Sequence, residues 1–336
     1  MKVDPLTLLQ DNNDITTVLG PMVRYSKLSF RELCKFYNTE ITYTPMILAR
    51  EYVRNSNARI SDLSINSEDG CTIAQVGVNN VTDLMRFIEM VGPYVDGIGI
   101  NCGCPIREQV REGIGCAMIY NEDLLIDMVK AVKDKYGSTL RLETKIRIHE
   151  NGKPERTVKL CKNLCKVGVD WITIHGRTRT TRSSEPVDLK AIKFIVEQVR
   201  TEYPDSIFVA NGDCFNDEDM QKIAKITGVQ GVMSARGILS NPALFDGYKT
   251  CPWKCVERFM YIVTEHGALP FALIQHHLYC MFENMKSNKL LLKELMELKH
   301  LPSLIDWLDQ NFSFKRHGEE GFAQAVEIPY RAIQQT

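Results

Sequence analysis

The sequence predicts an α/β fold, a (β/α)8 TIM barrel followed by a small all-helical C-terminal domain. Three observations carry this reading. From residue 15 to about 236, eight short apolar, β-rich runs alternate with segments of helical spacing. The ends of these runs carry amide, cationic or glycine-rich groups, where a barrel places its active site. After about residue 250 the β signal stops, and Pro252, Pro270 and Pro302 punctuate segments of helical spacing.

Taken in order, the strand runs are Val18–Val23, Thr42–Ile47, Thr72–Gly77, Gly97–Asn101, Leu140–Ile146, Trp171–His175, Ile207–Asn211 and Gly231–Ser234. Between them lie helical patterns such as Val81, Leu84, Met85 and Ile88. Ser29 with Glu32 reads as a capping box, Asn216 as a helix N-cap, and Gly137 and Gly168 as helix stops. Periodicity leaves strand order open, so a doubly wound sheet is the alternative. No G-x-G-x-x-G follows the first run, which argues against a dinucleotide-binding Rossmann unit. In the tail, Trp253–Glu265, Phe271–Asn284, Lys289–Leu298 and Ser303–Gln310 read as helices, and Gly321–Ala332 as a fifth. The expected organisation is a polar leader over 1–14, a barrel over 15–248 and a helical domain over 249–336.

Composition narrows the class. The 336 residues are 44% hydrophobic, and no run approaches the roughly 20 apolar residues that span a bilayer. The acidic start of the chain has neither a signal-peptide core nor an arginine-rich transit pattern, so a cytoplasmic or nuclear location is expected. The eleven cysteines include no C-x-x-C, and no structural metal is expected. Cys161 with Cys165, and Cys251 with Cys255, read as small packing residues in a reducing compartment. With a net charge of −1, any nucleic-acid site must be a local basic patch.

The candidate chemistry lies at the strand ends. There the sequence has Pro21-Met22-Val23, Gln75, Asn101, Lys145 with Arg147, His175 with Arg177, Asn211-Gly212-Asp213 and Ala235-Arg236-Gly237. The densest signal is Gly99-Ile-Asn-Cys-Gly-Cys-Pro105, which leaves a strand for a loop bearing Gly113 and Gly115. Its cysteines could ligate a metal, pack, or present a thiol as acid or nucleophile.

Asn101-Cys102-Gly103-Cys104-Pro105 matches the N-x-G-C-P signature of flavin-dependent tRNA dihydrouridine synthases. Six further blocks occur in that family's order: Gly20–Val23, Ala74–Gly77, Glu143–Arg147, Ile174–Thr178, Asn211–Asp213 and Ala235–Gly237. The chain therefore resembles that family, over roughly residues 18–245. The segment Gly231–Phe245 is most similar to the eukaryotic subfamily acting at tRNA positions 20a and 20b.

The resemblance implies FMN as cofactor, NADPH or NADH as reductant, and tRNA as the macromolecular partner. It makes Cys104 the proton donor to uracil C5, a suitable role for a thiol with an unperturbed pKa near ~8.5. It alone separates Cys104 from Cys102, which then reads as a packing residue, as does Cys116. Gln75 suits the pyrimidine edge of a flavin, and Lys145 the anion that develops near N1 on reduction. His175 is assigned to the flavin by resemblance, as are Pro21, Met22 and Val23. Asn211, Gly212, Asp213, Ala235 and Arg236 occupy the loops where barrels bind phosphate. Asn101, Arg147, Arg177, Arg179 and Arg182 are the expected substrate and tRNA contacts. Lys286, Lys289, Lys293, Lys299, Lys315 and Arg316 add charge in the tail. The rival readings are a flavin barrel acting on a free pyrimidine and a tRNA-binding protein without catalysis.

Overall fold

A computed structural model describes residues 2–11, 14–66, 70–267 and 269–331. It resolves the question of strand order. Nine parallel strands run β1 (Thr16–Leu19), β2 (Ile41–Tyr43), β3 (Ile47–Leu48), β4 (Cys71–Gly77), β5 (Gly97–Cys102), β6 (Arg141–Arg147), β7 (Trp171–His175), β8 (Phe208–Asn211) and β9 (Gly231–Ser234). From β3 to β9 each strand pairs with the next, β1 pairs with β9, and β2 pairs with both β1 and β4, so the sheet closes on itself. β2 and β3 both lie against β4, separated by Thr44-Pro45-Met46, and together fill one barrel position. The interruption has a local cause: Pro45 has no N–H for a ladder, and Thr44 Oγ1 turns to Pro45 O at 2.9 Å. The result is the predicted eight-position (β/α)8 barrel.

The helices form where an apolar stripe meets an end signal. In Val81–Val91, Asn80 caps the helix by accepting from Asp83 N at 2.8 Å. Its buried face is Leu84, Phe87, Ile88 and Val91, and burying each such side chain stabilises by about 1.5–3 kcal/mol. Gly137, at φ 54°, ends Glu122–Tyr136, and Gly168, at φ 87°, follows Glu155–Lys166. The expected capping box does not form. Helix Leu28–Lys35 starts one residue before Ser29, with Lys27 at the N-cap, and Ser29 is buried within it.

The barrel floor corrects another expectation. The segment expected as a polar leader contains a helix, Pro5–Leu9, whose Leu9 is 1% exposed and packs with Val18, Tyr43, Trp171, Val209 and Met233. Asp4 caps that helix through Leu6 N and pairs with Arg141 of β6. Gly231 leaves the room for Leu9, whose Cδ2 would lie 3.1 Å from an added Cβ.

The described residues divide into two compact units. One comprises Met1–Ser26, Glu40–Cys214 and Glu218–Ala235, and the other Lys27–Thr39, Phe215–Asp217 and Arg236–Thr336. The second therefore takes in helix Leu28–Lys35, whose Phe30 stacks on His277 at 4.5 Å and whose Glu32 meets His266 at 2.5 Å. Its other long helices are Lys254–His266, Phe271–Asn284, Lys289–Glu297 and Leu301–Asn311. Trp253, Phe282, Trp307 and Phe312 form their aromatic core, with centroids 4.8–5.9 Å apart. The expected fifth helix is absent over the described part of Gly321–Ala332, and Ala332 lies outside the described residues. Tertiary hydrogen bonds claim that backbone instead. Ala323 N donates to buried Glu257, Val326 O accepts from Trp253 N, and Phe312 bridges Tyr330. Among the described residues no helix is long and apolar enough to cross a membrane.

Candidate active site

Parallel pairing carries the strand-end residues to one mouth. Asn101 lies opposite Lys145, and two residues further along the strands Arg147 lies opposite His175 and His175 opposite Asn211, so side chains from four strands stand in two adjacent rows at the same barrel end. Gln75, on β4, joins them through its Oε1, which accepts from Asn101 Nδ2 at 2.7 Å. Its own Nε2 is buried with no hydrogen-bond partner among the described residues. An orphaned buried amide donor is costly unless something accepts from it, which is what a ligand with carbonyl or ring-nitrogen acceptors supplies.

The cysteine loop is held from both sides. Asn101 Oδ1 accepts from Gly103 N at 3.1 Å and from Cys104 N at 2.9 Å, turning the chain so that Cys104 is half-exposed. Arg147 donates Nε to Gly103 O at 2.7 Å and Nη1 to Thr178 O at 2.9 Å. The returning strand of the loop closes it, Cys116 N donating to Cys104 O at 2.9 Å. Burial pushes the Cys104 thiol above its ordinary range, against the opposing pull of a backbone hydrogen bond at Ile106 and the charges of Arg147 and Lys145. The thiol therefore keeps its proton through neutral pH. Cys102 and Cys116 are fully buried, and burial raises both of their thiols as well.

Closure of this loop depends on Gly115. A Cβ there would fall 2.5 Å from the Cys104 carbonyl oxygen, and the residue sits at φ 67°. Gly115→Ala is expected to cost about 1–3 kcal/mol of stability, from backbone strain and a displaced Cys104. Thermal melting and turnover would read both effects, and a parent-like result in both would show that the loop does not need this approach.

Beside Gln75 stands a buried cation. Lys145 Nζ donates to Asn211 Oδ1 at 2.8 Å, and Asn211 Nδ2 donates to Met233 O at 3.1 Å. One turn of the pleat lower on β6 is Glu143, fully buried, with neither carboxylate oxygen hydrogen-bonded among the described residues. The hydroxyls of Tyr43 and Thr173 flank it without reaching bonding geometry. Gly99 makes space for it, since an added Cβ would meet Glu143 Oε2 at 2.3 Å. Burial lowers the Lys145 pKa, with the Arg147 charge adding to it and Glu143 opposing. Burial raises that of Glu143, opposed by Thr173 and Lys145.

The arrangement is thus a group of buried donors at the C-terminal ends of the strands, with a protonated thiol on a pinned loop at the same end of the barrel. The chain matches the description "Dihydrouridine synthase (Dus)" over residues 18–335. It belongs to the dihydrouridine synthase family. It is 62% identical over 335 residues to the tRNA-dihydrouridine(20a/20b) synthase [NAD(P)+] of Saccharomyces cerevisiae, covering 98% of this chain and 90% of that one. The protein of the same description from Schizosaccharomyces pombe is 43% identical, covering 98% of each chain. A tRNA-dihydrouridine(20a/20b) synthase [NAD(P)+]-like protein of Homo sapiens is 38% identical, covering 93% of this chain and 95% of that one.

Within this family member the structure redistributes several expected roles. Arg177 is 3% exposed, donates to both oxygens of Asp213 at 2.6 and 2.8 Å, and donates Nε to Glu185 O at 2.9 Å. It is therefore not available to RNA, and Asp213, which also accepts from Val187 N at 2.9 Å, serves this pair and not a phosphate. Arg177 Nη1 lies 3.3 Å from His175 Nε2. A guanidinium only donates, so His175 accepts there and carries its proton on Nδ1 when neutral. Asn101 and Arg147, expected at the substrate, both bond the cysteine loop. Arg179 and Arg182 are exposed as expected.

The remaining expected cofactor residues divide by position. Gly212, at φ 138°, is wedged against Val187, whose Cγ2 would lie 2.6 Å from an added Cβ. Pro21 and Met22 are half-buried and Val23 is exposed in a turn closed by Ser26 on Met22. Ala235 ends the barrel unit, and Arg236 opens helix Arg236–Ser240 with its guanidinium 5.4 Å from the Phe215 ring centroid. In the tail, Lys286, Lys289, Lys293 and Lys299 are exposed, Lys293 pairs with Glu297 at 3.8 Å, and Arg316 pairs with Asp309 at 2.6 Å. Sequence reasoning missed Glu143, Tyr120 and Arg156. The one signal that could have singled out Glu143 is a carboxylate on the strand face that it shares with Arg141, Lys145 and Arg147.

Proposed function

We propose that this protein is a tRNA dihydrouridine synthase that reduces the C5–C6 double bond of uridines at positions 20a and 20b, with FMN at the barrel mouth and NAD(P)H as reductant. The observation that carries the reading is an unpartnered, buried Gln75 amide and a buried Lys145 ammonium at the same barrel end as a held thiol. These donors suit the pyrimidine edge and the developing anion of a flavin. FMN, when bound, supplies the hydride for uracil, which no side chain can do. Gln75 and Lys145 would bind and orient it. Asn211 holds the Lys145 ammonium in place. Cys104 keeps a proton at Sγ for delivery to uracil C5, and Asn101, Arg147 and Gly115 set where that sulfur stands. The target base must leave its stack to reach the mouth. The exposed lysines of the helical unit are suited to tRNA phosphates, and the tRNA substrate is consistent with a cytoplasmic or nuclear location.

The expected outcome for the purified protein is a flavin absorption spectrum that bleaches with NADPH or NADH. Incubation with unmodified tRNA should then add two hydrogens at positions 20a and 20b, read by mass spectrometry of nuclease fragments. A colourless protein that FMN does not reconstitute would refute the reading.

A further inference from the structure

Tyr120 is 43% exposed, yet its ring is rigidly placed. Its hydroxyl donates to His149 O at 3.2 Å, and the ring stands edge-on to the His149 imidazole at 5.4 Å. That imidazole is anchored in turn, donating Nε2 to Ile119 O at 2.7 Å and meeting Thr157 Oγ1 at 2.9 Å. Two guanidinium groups lie over the same ring, Arg156 at 5.2 Å and Arg179 at 5.9 Å from its centroid. Arg156 has a carboxylate neighbour, Glu122 Oε1 at 3.2 Å. Arg179 is exposed and has no acidic partner among the described residues.

The three residues come from successive connections. Tyr120 ends the turn Gly115–Tyr120 after β5, Arg156 starts the helix Glu155–Lys166 after β6, and Arg179 follows β7. All three lie on the C-terminal rim that carries Cys104, and Tyr120 shares its turn with Cys116, which bonds the Cys104 carbonyl. Arg179 is near enough to this loop for its charge to oppose the burial that raises the Cys116 thiol. Of the two guanidiniums over this solvent-facing aromatic, only Arg156 has a carboxylate beside it, so the Arg179 charge is offered to solvent. A single RNA strand offers both complements, phosphates for the guanidiniums and a base for the ring.

We propose that Tyr120, Arg156 and Arg179 form a docking site for the tRNA strand flanking the uridine being reduced, the arginines taking backbone phosphates and Tyr120 an adjacent base. The site rests on the proposed tRNA substrate and names a surface for it. Glu122 holds Arg156 in place at an exposed position, where such a pair is screened and adds little stability. Flavin is not part of the cluster.

Titration of labelled, unmodified tRNA into the full-length protein at two salt concentrations tests it. Arg179→Ala and Arg156→Ala should each weaken binding and flatten the salt dependence by roughly one phosphate contact. Tyr120→Ala should weaken binding roughly 5- to 150-fold, as loss of one stacked base does, while Tyr120→Phe keeps most of the affinity. Flavin absorbance and melting temperature of the Arg179 variant report that the fold is intact. Parent affinity and salt slope in the Arg179 and Tyr120→Ala variants would overturn the proposal. So would slower bleaching by NADPH with unchanged tRNA affinity, which would give the cluster to the dinucleotide. The titration needs no turnover, so failure of the enzymatic reading, seen as absent flavin or absent dihydrouridine, is distinguishable from failure of this site.

Discussion

Cys104→Ala is expected to leave a flavin-binding protein whose dihydrouridine formation falls by about 10²–10⁴-fold, the range for removing a positioned general acid. The residue is half-exposed on a loop held by Asn101, Arg147 and the Cys116 amide. Its pKa is raised by burial, so the neutral thiol is present across neutral pH and is lost only as pH climbs through that raised value. Parent activity should accordingly fall on the alkaline side, and the alanine variant should show no such limb. Cys102→Ala is the control. That side chain is fully buried, and its loss should cost about 1–2 kcal/mol of stability with far less effect on turnover. Single-turnover assays with tRNA, alongside flavin absorbance, check both. Equal losses in the two variants would undo the assignment of the acid to Cys104.

Lys145→Met is expected to weaken FMN binding by about 10- to 100-fold, roughly 1.4–2.7 kcal/mol, and to slow flavin reduction. The variant removes a buried positive charge and leaves Asn211 Oδ1 without its donor. The pH dependence follows from the direction of the shift. A lysine whose pKa is lowered loses its charge earlier as pH rises, so FMN affinity should decline on the alkaline side sooner than an ordinary lysine allows. In the flavin-free chain the unfolded state binds the additional proton over that interval, and this site contributes stability that increases with pH. Glu143 has the opposite sign: its raised pKa means the folded state holds the proton, and its contribution is lost as pH rises. Glu143→Gln removes the group that supports the Lys145 charge and should move the FMN affinity profile toward lower pH. Dissociation constants measured across pH for parent, Lys145→Met and Glu143→Gln decide the matter. Superimposable profiles would show that neither residue faces the flavin.

Much of this was legible in the sequence because its signals are local. Trp171–His175 and Gly231–Ser234 match the observed strands residue for residue, since an apolar run bounded by turns reads the same in any context. Other boundaries drifted where a local device intervened, as when Pro45 split the second barrel strand in two. The residues at the mouth were found by asking which polar groups end strands, and the structure carries Gln75, Lys145 and Cys104 to the same end of the barrel.

Roles that depend on partners distant in sequence could not be read that way. Arg177 looked like an RNA contact because a basic run after a strand is ordinarily solvated, but Asp213, 36 residues on, neutralises it. Leu9 looked like part of a polar leader until the barrel floor was seen to close over it. The Gly321–Ala332 segment has helical spacing, yet bonds to Glu257, Trp253 and Asn311 take its backbone. Glu143 owes its buried position to Gly99 on the neighbouring strand. The sequence alone determined the strand–helix alternation, the family signature and the cysteine that matches it, because periodicity and contiguous motifs are encoded within a few residues, whereas closure of the sheet needed the strand order. The tertiary structure alone decided which charges are paired and which face solvent, because burial and ion pairing are properties of the closed sheet and not of any one segment.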